Sequence, residues 1–187
     1  MKTLIIHGSP RRNGDSSTLA NILKASLNGD VIELHTHSAK LSPCIDCRYC
    51  SKIPACSISD DMALIYNDDF DRVVIASPVH TSTLPGPLVS LSSRFQVYFC
   101  AKLFLGKNID IKPKQAAIIL TGGGKGRPDE ALRLSKFMLK QMGGTSGDIQ
   151  IITSLNTDEL PAAEDAAAVQ QLRELAAQWN SLPANKK

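Results

Sequence analysis

The 187-residue chain is long enough for one domain, and its 43% of apolar residues can form a core without metal ions or disulfides. The net charge is +3 and the sequence has no long run of basic residues, so nucleic-acid binding is not expected. Apolar stretches such as residues 116–120 are too short to cross a membrane, and residues 1–3 lead into a strand-like run without a signal peptide. We therefore expect a cytoplasmic protein without membrane contact, in which thiols stay reduced.

Five short, almost wholly apolar runs predict β-strands at residues 3–6, 31–34, 73–76, 116–120 and 149–152. Helical patterns cover residues 16–28, 87–105, 128–142 and 161–179, and Ser59-Asp60-Asp61 caps one further helix. Apolar strands that alternate with helices predict a parallel sheet covered on both faces. Five such units fit an α/β, flavodoxin-like three-layer sandwich with strand order 2-1-3-4-5, whose ligand lies at the carboxyl ends of the strands. We expect a single domain over residues 1–182 and a frayed tail at 183–187.

The segment HGSPRRNGDSST, residues 7–18, leaves the first predicted strand and opens the first predicted helix. The unpaired N–H groups at a helix start attract anions, and the loop adds hydroxyl donors and two arginines. A Walker A motif is excluded because no Lys follows Gly14, and a G-x-G-x-x-G fingerprint occurs neither here nor at residues 122–126. An ordinary capped turn is the alternative. The position after the first strand, with Arg11 and Arg12, favours a phosphate site.

Four segments of the chain resemble one known group of proteins. GSPRRNGDSST (residues 8–18) and LTGGG (120–124) are similar to the first and third flavin loops of the flavodoxin-like NAD(P)H-dependent FMN reductase superfamily. SPVHTSTLPGPLVSLSSRF (77–95) is similar to its second flavin loop and the helix after it. The cysteine-rich segment PCIDCRYCSKIPAC (43–56) and the DDM that follows it resemble the iron–sulfur flavoprotein branch of that superfamily.

The resemblance implies noncovalently bound FMN and suggests which residues contact it. The FMN phosphate is expected to be held by Ser9, Arg11, Ser16 and Ser17. The ribityl chain and one edge of the isoalloxazine are expected to lie against Pro78, Val79, His80, Thr81 and Ser82. Backbone N–H groups that stabilise the reduced flavin near its pyrimidine edge are expected from Thr121, Gly122 and Gly123. Relatives often carry Asn where this chain has Asp15, so we expect this carboxylate to turn away from the phosphate or to cap the helix.

Relatives often have Tyr or Phe at the position of His80, which could contact the flavin or remain an exposed loop histidine. The predicted flavin loops contain no Phe, Tyr or Trp, whereas electron-carrying flavodoxins usually sandwich their flavin between aromatic side chains. An open flavin face favours a nicotinamide or another substrate that stacks directly for hydride transfer. Because the flavin carries the chemistry, no catalytic side chain is predicted.

The cysteine-rich segment places Cys44, Cys47, Cys50 and Cys56 in the pattern C-x2-C-x2-C-x5-C. Four closely spaced thiolates suit a [4Fe-4S] cluster. Unliganded thiols are an open alternative, and zinc is less natural because four-cysteine zinc sites normally come from two separated knuckles. Disulfides are disfavoured in a reducing compartment. Cys100, inside a predicted helix, is expected to be a small buried hydrophobic residue.

These observations predict an FMN-dependent NAD(P)H oxidoreductase that reduces a flavin, a quinone or a similar acceptor. One alternative is an iron–sulfur flavoprotein that transfers single electrons between a [4Fe-4S] cluster and FMN, and another is a non-enzymatic FMN-binding redox sensor. The expected partners are NAD(P)H and a small-molecule or protein electron acceptor. The resemblance also implies a homodimer or homotetramer.

Overall fold

The computed structural model describes residues 1–124, 126–145 and 147–182, so the predicted tail at 183–187 lies outside the described residues. The strands are β1 (Lys2–His7), β2 (Asp30–His35), β3 (Arg72–Pro78), β4 (Gln115–Thr121) and β5 (Gln150–Ser154). The helices are α1 (Asp15–Ser26), α2 (Ala63–Tyr66), α3 (Gly86–Ser93), α4 (Gln96–Leu105), α5 (Asp129–Gln141) and α6 (Ala166–Ser181).

The five strands form one parallel sheet in the order β2-β1-β3-β4-β5, which confirms the predicted flavodoxin-like α/β sandwich. The chain steps from β1 outward to β2 and then crosses to β3 on the other side of β1. At such a reversal the loops that leave neighbouring strands diverge, and a crevice opens at the carboxyl ends. The fold therefore predicts a ligand site between the loops after β1 and β3.

Helices cover both faces of the sheet, because alternate strand residues point to opposite sides. On one face α1 and α6 pack, with Leu19 and Leu172 fully buried in the cluster that contains Ile5. On the other face α2, α3 and α5 pack, with Leu88 and Met138 fully buried. Among the described residues, no helix is both long enough and apolar enough to span a bilayer.

The single helix predicted over residues 87–105 is wrong, because the structure divides it into α3 and α4. At the break, Arg94 is only 1% exposed and donates a hydrogen bond to the Asp60 carboxylate. Beyond the break, α4 packs against a short 3₁₀ turn, Tyr49–Ser51, within the cysteine-rich segment. The break therefore positions a helix beside the cysteines.

The last helix begins at Ala166, five residues later than predicted. The Asp165 side chain accepts a hydrogen bond from the backbone N–H of Ala168 at 3.1 Å and so caps this helix. Residues 155–165, between β5 and α6, consequently form a longer loop than expected at the carboxyl edge of the sheet.

Candidate functional site

The loops after β1, β3 and β4 meet in one cleft at the carboxyl edge of the sheet. Most of the predicted FMN contacts line it: Ser9, Arg11, Ser16, Pro78, Val79, His80, Thr121, Gly122 and Gly123. Ser17, Thr81 and Ser82 do not line it. The cleft measures about 120 Å³, whereas pockets that enclose a whole ligand measure roughly 300–1,000 Å³. A cleft of this size encloses only part of a nucleotide and leaves the remainder on the open surface.

The first loop is folded by its own hydroxyl groups. Ser9 Oγ accepts a hydrogen bond from the Arg11 N–H at 3.1 Å, and Ser17 Oγ donates to the Arg11 carbonyl at 3.1 Å. Ser17 therefore shapes the loop from behind. The N-cap of α1 is Gly14, which has no side chain to satisfy the N–H groups of the first helical turn. These donors are suited to an anionic ligand.

Asp15 lines the cleft, and its carboxylate has a hydrogen-bond partner in another loop. Asp15 Oδ1 accepts a hydrogen bond from the backbone N–H of Ala162, in the loop between β5 and α6, at 2.9 Å. This bond satisfies the carboxylate and ties the last loop to the start of α1. The N–H groups in the first turn of α1 therefore have no capping hydrogen bond from a side chain.

The second loop forms a tight turn at the mouth of the cleft. His80 and Thr83 exchange backbone hydrogen bonds of 2.8 and 2.9 Å, and Val79 donates to the Thr121 carbonyl at 2.8 Å. The central residues Thr81 and Ser82 have φ angles of 49° and 63°. This left-handed region is strained for a β-branched residue, and such strain is concentrated at functional sites. His80 is exposed beside the cleft.

The third loop is connected to the end of β5. The Gly122 N–H donates to the Ser154 carbonyl at 3.0 Å, so this predicted flavin donor is already used within the protein. Gly123 packs so closely against Asp158 that a Cβ atom would lie 2.4 Å from its Oδ1. Thr157 and Asp158 line the same cleft, which the sequence analysis missed. The sequence could have indicated them, because these polar residues follow the strand β5, which ends beside β4 at the same edge of the sheet.

These features fit FMN. An uncapped helix start, buried hydroxyl groups and a glycine that contacts the Asp158 carboxylate lie around one crevice. Together they supply hydrogen-bond donors for a phosphate and close backbone approach for a flat ring system.

A second cavity, of about 320 Å³, lies between the cysteine-rich segment and α4. All five cysteines of the chain are among the residues that line it: Cys44, Cys47, Cys50, Cys56 and Cys100. Apolar walls are supplied by Ile45, Tyr49, Val97, Phe99 and Phe104. Cys100 is buried, as predicted. The expectation that it acts only as a packing residue is incomplete, because it belongs to the cysteine cavity.

Arg94 holds both ends of the cysteine-rich segment. Its guanidinium donates to the carbonyl of Ser42 at 2.9 Å before the segment and to that of Ile58 at 3.2 Å after it. The same group bonds Asp60 Oδ2 at 2.7 Å, and both of these side chains are buried. The Arg94 Nε has no hydrogen-bond partner among the described residues. The cavity therefore lies beside a buried ion pair, formed by Arg94 and Asp60.

The cysteine thiols differ in their surroundings. Cys47 Sγ lies 3.1 Å from Ser57 Oγ, and hydrogen bonds from the Ser57 hydroxyl and the Tyr49 backbone lower the pKa of Cys47. Burial, together with the adjacent Cys100 thiol, raises the pKa of Cys50 to about 11. Cys47 is thus the thiol that ionises more readily, and Cys50 is the one that keeps its proton.

The spacing of the sulfur atoms distinguishes between the predicted metal groups. Among the described residues, which include every cysteine, no three sulfur atoms lie within 4.8 Å of one another. A tetrahedral zinc ion with bonds of about 2.3 Å requires its sulfur ligands to be about 3.8 Å apart. The sulfur atoms are therefore not arranged as a tetrahedral zinc site. A set of thiols around an apolar cavity fits the larger iron–sulfur group, which takes four cysteine ligands.

The sheet topology and the position of the cleft define a protein of the flavodoxin-like class. The chain belongs to the NADPH-dependent FMN reductase family, whose sequence model matches residues 1–152, and this confirms the predicted resemblance.

Two curated relatives are named iron–sulfur flavoproteins. The protein from Archaeoglobus fulgidus is 32% identical over 108 residues, which are 54% of this chain and 55% of that protein. The protein from Clostridioides difficile is 26% identical over 165 residues, which are 83% of this chain and 69% of that protein. The matched region thus spans about half the length of the first relative and about two thirds of the second.

Among solved structures, an FMN-dependent NADH-azoreductase from Bacillus anthracis in complex with FMN is similar to this chain. The TM-score is 0.63 at 16% identity, and the match covers 96% of this chain and 99% of that one. At this identity the likeness supports the flavodoxin-like fold.

Proposed function

We propose that this chain binds FMN in the cleft at the carboxyl edge of the sheet and catalyses the NAD(P)H-dependent reduction of a flavin, a quinone or a similar acceptor. The observation that carries the proposal is the convergence of the loops after β1, β3 and β4 on one cleft. Membership of the NADPH-dependent FMN reductase family supports it.

In this proposal the protein binds and orients the cofactor. The first turn of α1, with Ser9, Ser16 and Arg11, holds the phosphate, and Ser17 keeps the loop in shape through the Arg11 carbonyl. The ribityl chain and the ring lie along Pro78, Val79 and the 80–83 turn, with the pyrimidine edge at Thr121 and Gly123. Bound FMN supplies the transfer of electrons from the nicotinamide to the acceptor.

The open mouth of the cleft favours a reductase over an electron carrier. His80, Thr81 and Ser82 are exposed, and none of the residues that line the cleft is Phe, Tyr or Trp. A flavin face without an aromatic cover is accessible to a stacked nicotinamide and, after it leaves, to a flat acceptor.

Purified protein loaded with FMN should oxidise NADH or NADPH under anaerobic conditions when free flavin or a quinone is supplied. Ser9→Ala should weaken FMN binding roughly tenfold, because it removes a hydrogen bond to a charged group. Ser181→Ala, at the end of α6, is the matched control and should bind FMN like the wild type. Bound FMN without turnover of any acceptor would support a redox sensor instead, and failure to bind FMN would overturn the proposal.

A second candidate function is that of an iron–sulfur flavoprotein, in which single electrons pass between a [4Fe-4S] cluster and FMN. The cavity lined by cysteine thiols favours it, and the names of the two curated relatives support it. The cluster ligands would be Cys44, Cys47, Cys50 and Cys56. Anaerobic reconstitution should yield about four iron and four sulfide ions per chain. Absence of both ions after reconstitution would exclude this function and leave the FMN reductase unaffected.

We also propose that the protein forms a homodimer or homotetramer through α4. Phe99, Leu103 and Phe104 on this helix are 58–60% exposed, and exposed apolar groups of this size mark association sites. A cytoplasmic location is part of the proposal, since thiols stay reduced in that compartment.

A further inference from the structure

Helix α4 holds the fifth cysteine in a fixed position at the cysteine cavity. Cys100 lies in the middle of this helix and is 6% exposed. Its Sγ accepts a hydrogen bond from Gln96 Nε2 at 3.4 Å. The helix packs against the Tyr49–Ser51 turn, so the Cys100 thiol faces the cysteine-rich segment. This thiol therefore borders the cavity from a rigid element.

The neighbour of Cys100 in the cavity is Cys50. The two thiols lie next to each other, so each contributes to the electrostatic environment of the other. Cys50 belongs to the 3₁₀ turn against which α4 packs. One corner of the cavity thus contains two sulfur atoms, one from an irregular loop and one from a helix.

Among the other cysteines, the Cys47 thiol contacts a hydroxyl group and the Cys44 backbone is bonded to α3. Cys44 donates its backbone N–H to Ser93 Oγ at 2.9 Å, and Cys47 Sγ contacts Ser57 Oγ. A [4Fe-4S] cluster uses four thiolates, whereas this cavity contains five. Cys50 has two thiol neighbours, Cys100 and Cys44, and the fifth thiol, Cys100, interacts with it more strongly than Cys44 does.

We propose that Cys100 is an alternate iron ligand that shares one corner of the cluster site with Cys50. The proposal rests on the iron–sulfur candidate function. In the exchange, the bond between iron and the Cys50 sulfur breaks and a bond between iron and the Cys100 sulfur forms. The thiol proton of Cys100 passes to the Cys50 thiolate, so no electron is transferred and the net charge of the site is unchanged.

The test compares single and double substitutions after anaerobic reconstitution with iron and sulfide. Cys50→Ser should retain more than half of the wild-type iron and sulfide, because Cys100 completes the site, and Cys100→Ser should resemble the wild type. The double variant Cys50→Ser/Cys100→Ser should lose at least nine tenths of both ions. Cys47→Ser is the matched control and should lose them even with Cys100 present. FMN content and the thermal unfolding midpoint report whether each variant folds, and Cys50→Ala repeats the test with a different side chain.

Loss of iron and sulfide in Cys50→Ser and Cys50→Ala as complete as in Cys47→Ser, with normal FMN content, would overturn the proposal. Cys100 would then be a packing residue, and the iron and sulfide content of the wild type would still support the cluster. Wild-type protein that binds neither ion would instead remove the iron–sulfur function and this inference with it. The two failures are therefore distinguishable by the iron content of the wild type.

Discussion

Asp15 determines how much negative charge lies beside the proposed phosphate loop. Its carboxylate bonds to Ala162 but is still located in the first turn of α1. Asp15→Asn keeps an oxygen for the Ala162 N–H and removes the charge. We expect FMN binding to become several-fold tighter, since repulsion between unit charges at short range in water is about 1 kcal/mol. Titration by flavin fluorescence measures this change.

The control for that prediction is Asp30→Asn, which removes the same charge at the amino edge of the sheet. It should leave the dissociation constant of FMN unchanged. Equal or weaker binding by Asp15→Asn would show that the phosphate does not lie at the start of α1.

The ion pair between Arg94 and Asp60 is buried, so removing one partner leaves a charge without compensation. Arg94→Leu should lower the free energy of unfolding by about 3–5 kcal/mol, and it also frees the carbonyls of Ser42 and Ile58. Arg48→Leu is the matched control, because Arg48 and Asp46 form a pair with more than three quarters of each side chain exposed. Denaturant unfolding should show no change for this control. Equal stability of both variants would contradict the structural role of Arg94.

His7 should make the stability of the protein depend on pH. Burial, and then the neighbouring His35, lower the pKa of His7 below its usual 6.5, although Glu33 opposes the shift. Its ring stacks on His35 at 4.3 Å and contacts Glu33 at 3.0 Å. Below pH 6.5 the unfolded chain therefore binds a proton that folded His7 does not accept, so stability falls as the pH drops towards the folded pKa.

The measurement is urea unfolding at intervals between about pH 7.5 and 5.5, a range chosen around the ordinary histidine pKa. His7→Gln should show a weaker loss of stability over this range than the wild type. Parallel curves for the two proteins would mean that other groups cause the pH dependence.

At the scale of the element, the 80–83 turn combines a functional position with backbone strain. Thr81 adopts a left-handed conformation that costs a non-glycine residue about 1–2 kcal/mol. Thr81→Gly should therefore raise the free energy of unfolding by about 1 kcal/mol. Ser90→Gly in α3 is the control and should lower it by a similar amount, because its backbone is helical. Destabilisation by Thr81→Gly would show that the Thr81 side chain stabilises the turn.

The division of the predicted long helix into α3 and α4 has a consequence for both sites. α3 follows the flavin loop and packs in the core, whereas α4 turns towards the cysteines. The same stretch of chain thus runs from the proposed FMN cleft to the cysteine cavity. Helical periodicity continues through residues 94 and 95, so the break was not visible in the pattern.

For the whole molecule, the exposed side chains of α4 predict association of like subunits. Leu103→Glu places a charge on this surface and should shift the protein towards the monomer in size-exclusion chromatography with light scattering. Leu160→Glu changes another exposed leucine, in the loop before α6, and should leave the assembly intact. A monomeric wild type, or an assembly that is unaffected by Leu103→Glu, would contradict an interface at α4.

Much of the flavin cleft could be predicted from the sequence, because its residues belong to loops that follow apolar strands. Ser9, Val79 and Gly122 each lie within four residues of a strand end, and parallel strands bring these ends to one edge. The contributions of Thr157 and Asp158 were missed, because neither residue belongs to the segments that resemble flavin loops. Ser17, Thr81 and Ser82 were placed in the correct loops, but the structure leaves them outside the lining of the cleft.

The sequence by itself determined the alternation of strands and helices, the parallel sheet and the edge at which the ligand site lies, since these follow from local hydrophobic patterns and chain order. Only the tertiary structure decided which side chains meet across long separations. Asp15 contacts Ala162, 147 positions away, and Arg94 contacts Ser42, 52 positions away. Cys100 likewise joins the cysteine cavity only because α4 packs against the Tyr49–Ser51 turn. Such contacts depend on how distant elements pack, and no local pattern encodes them.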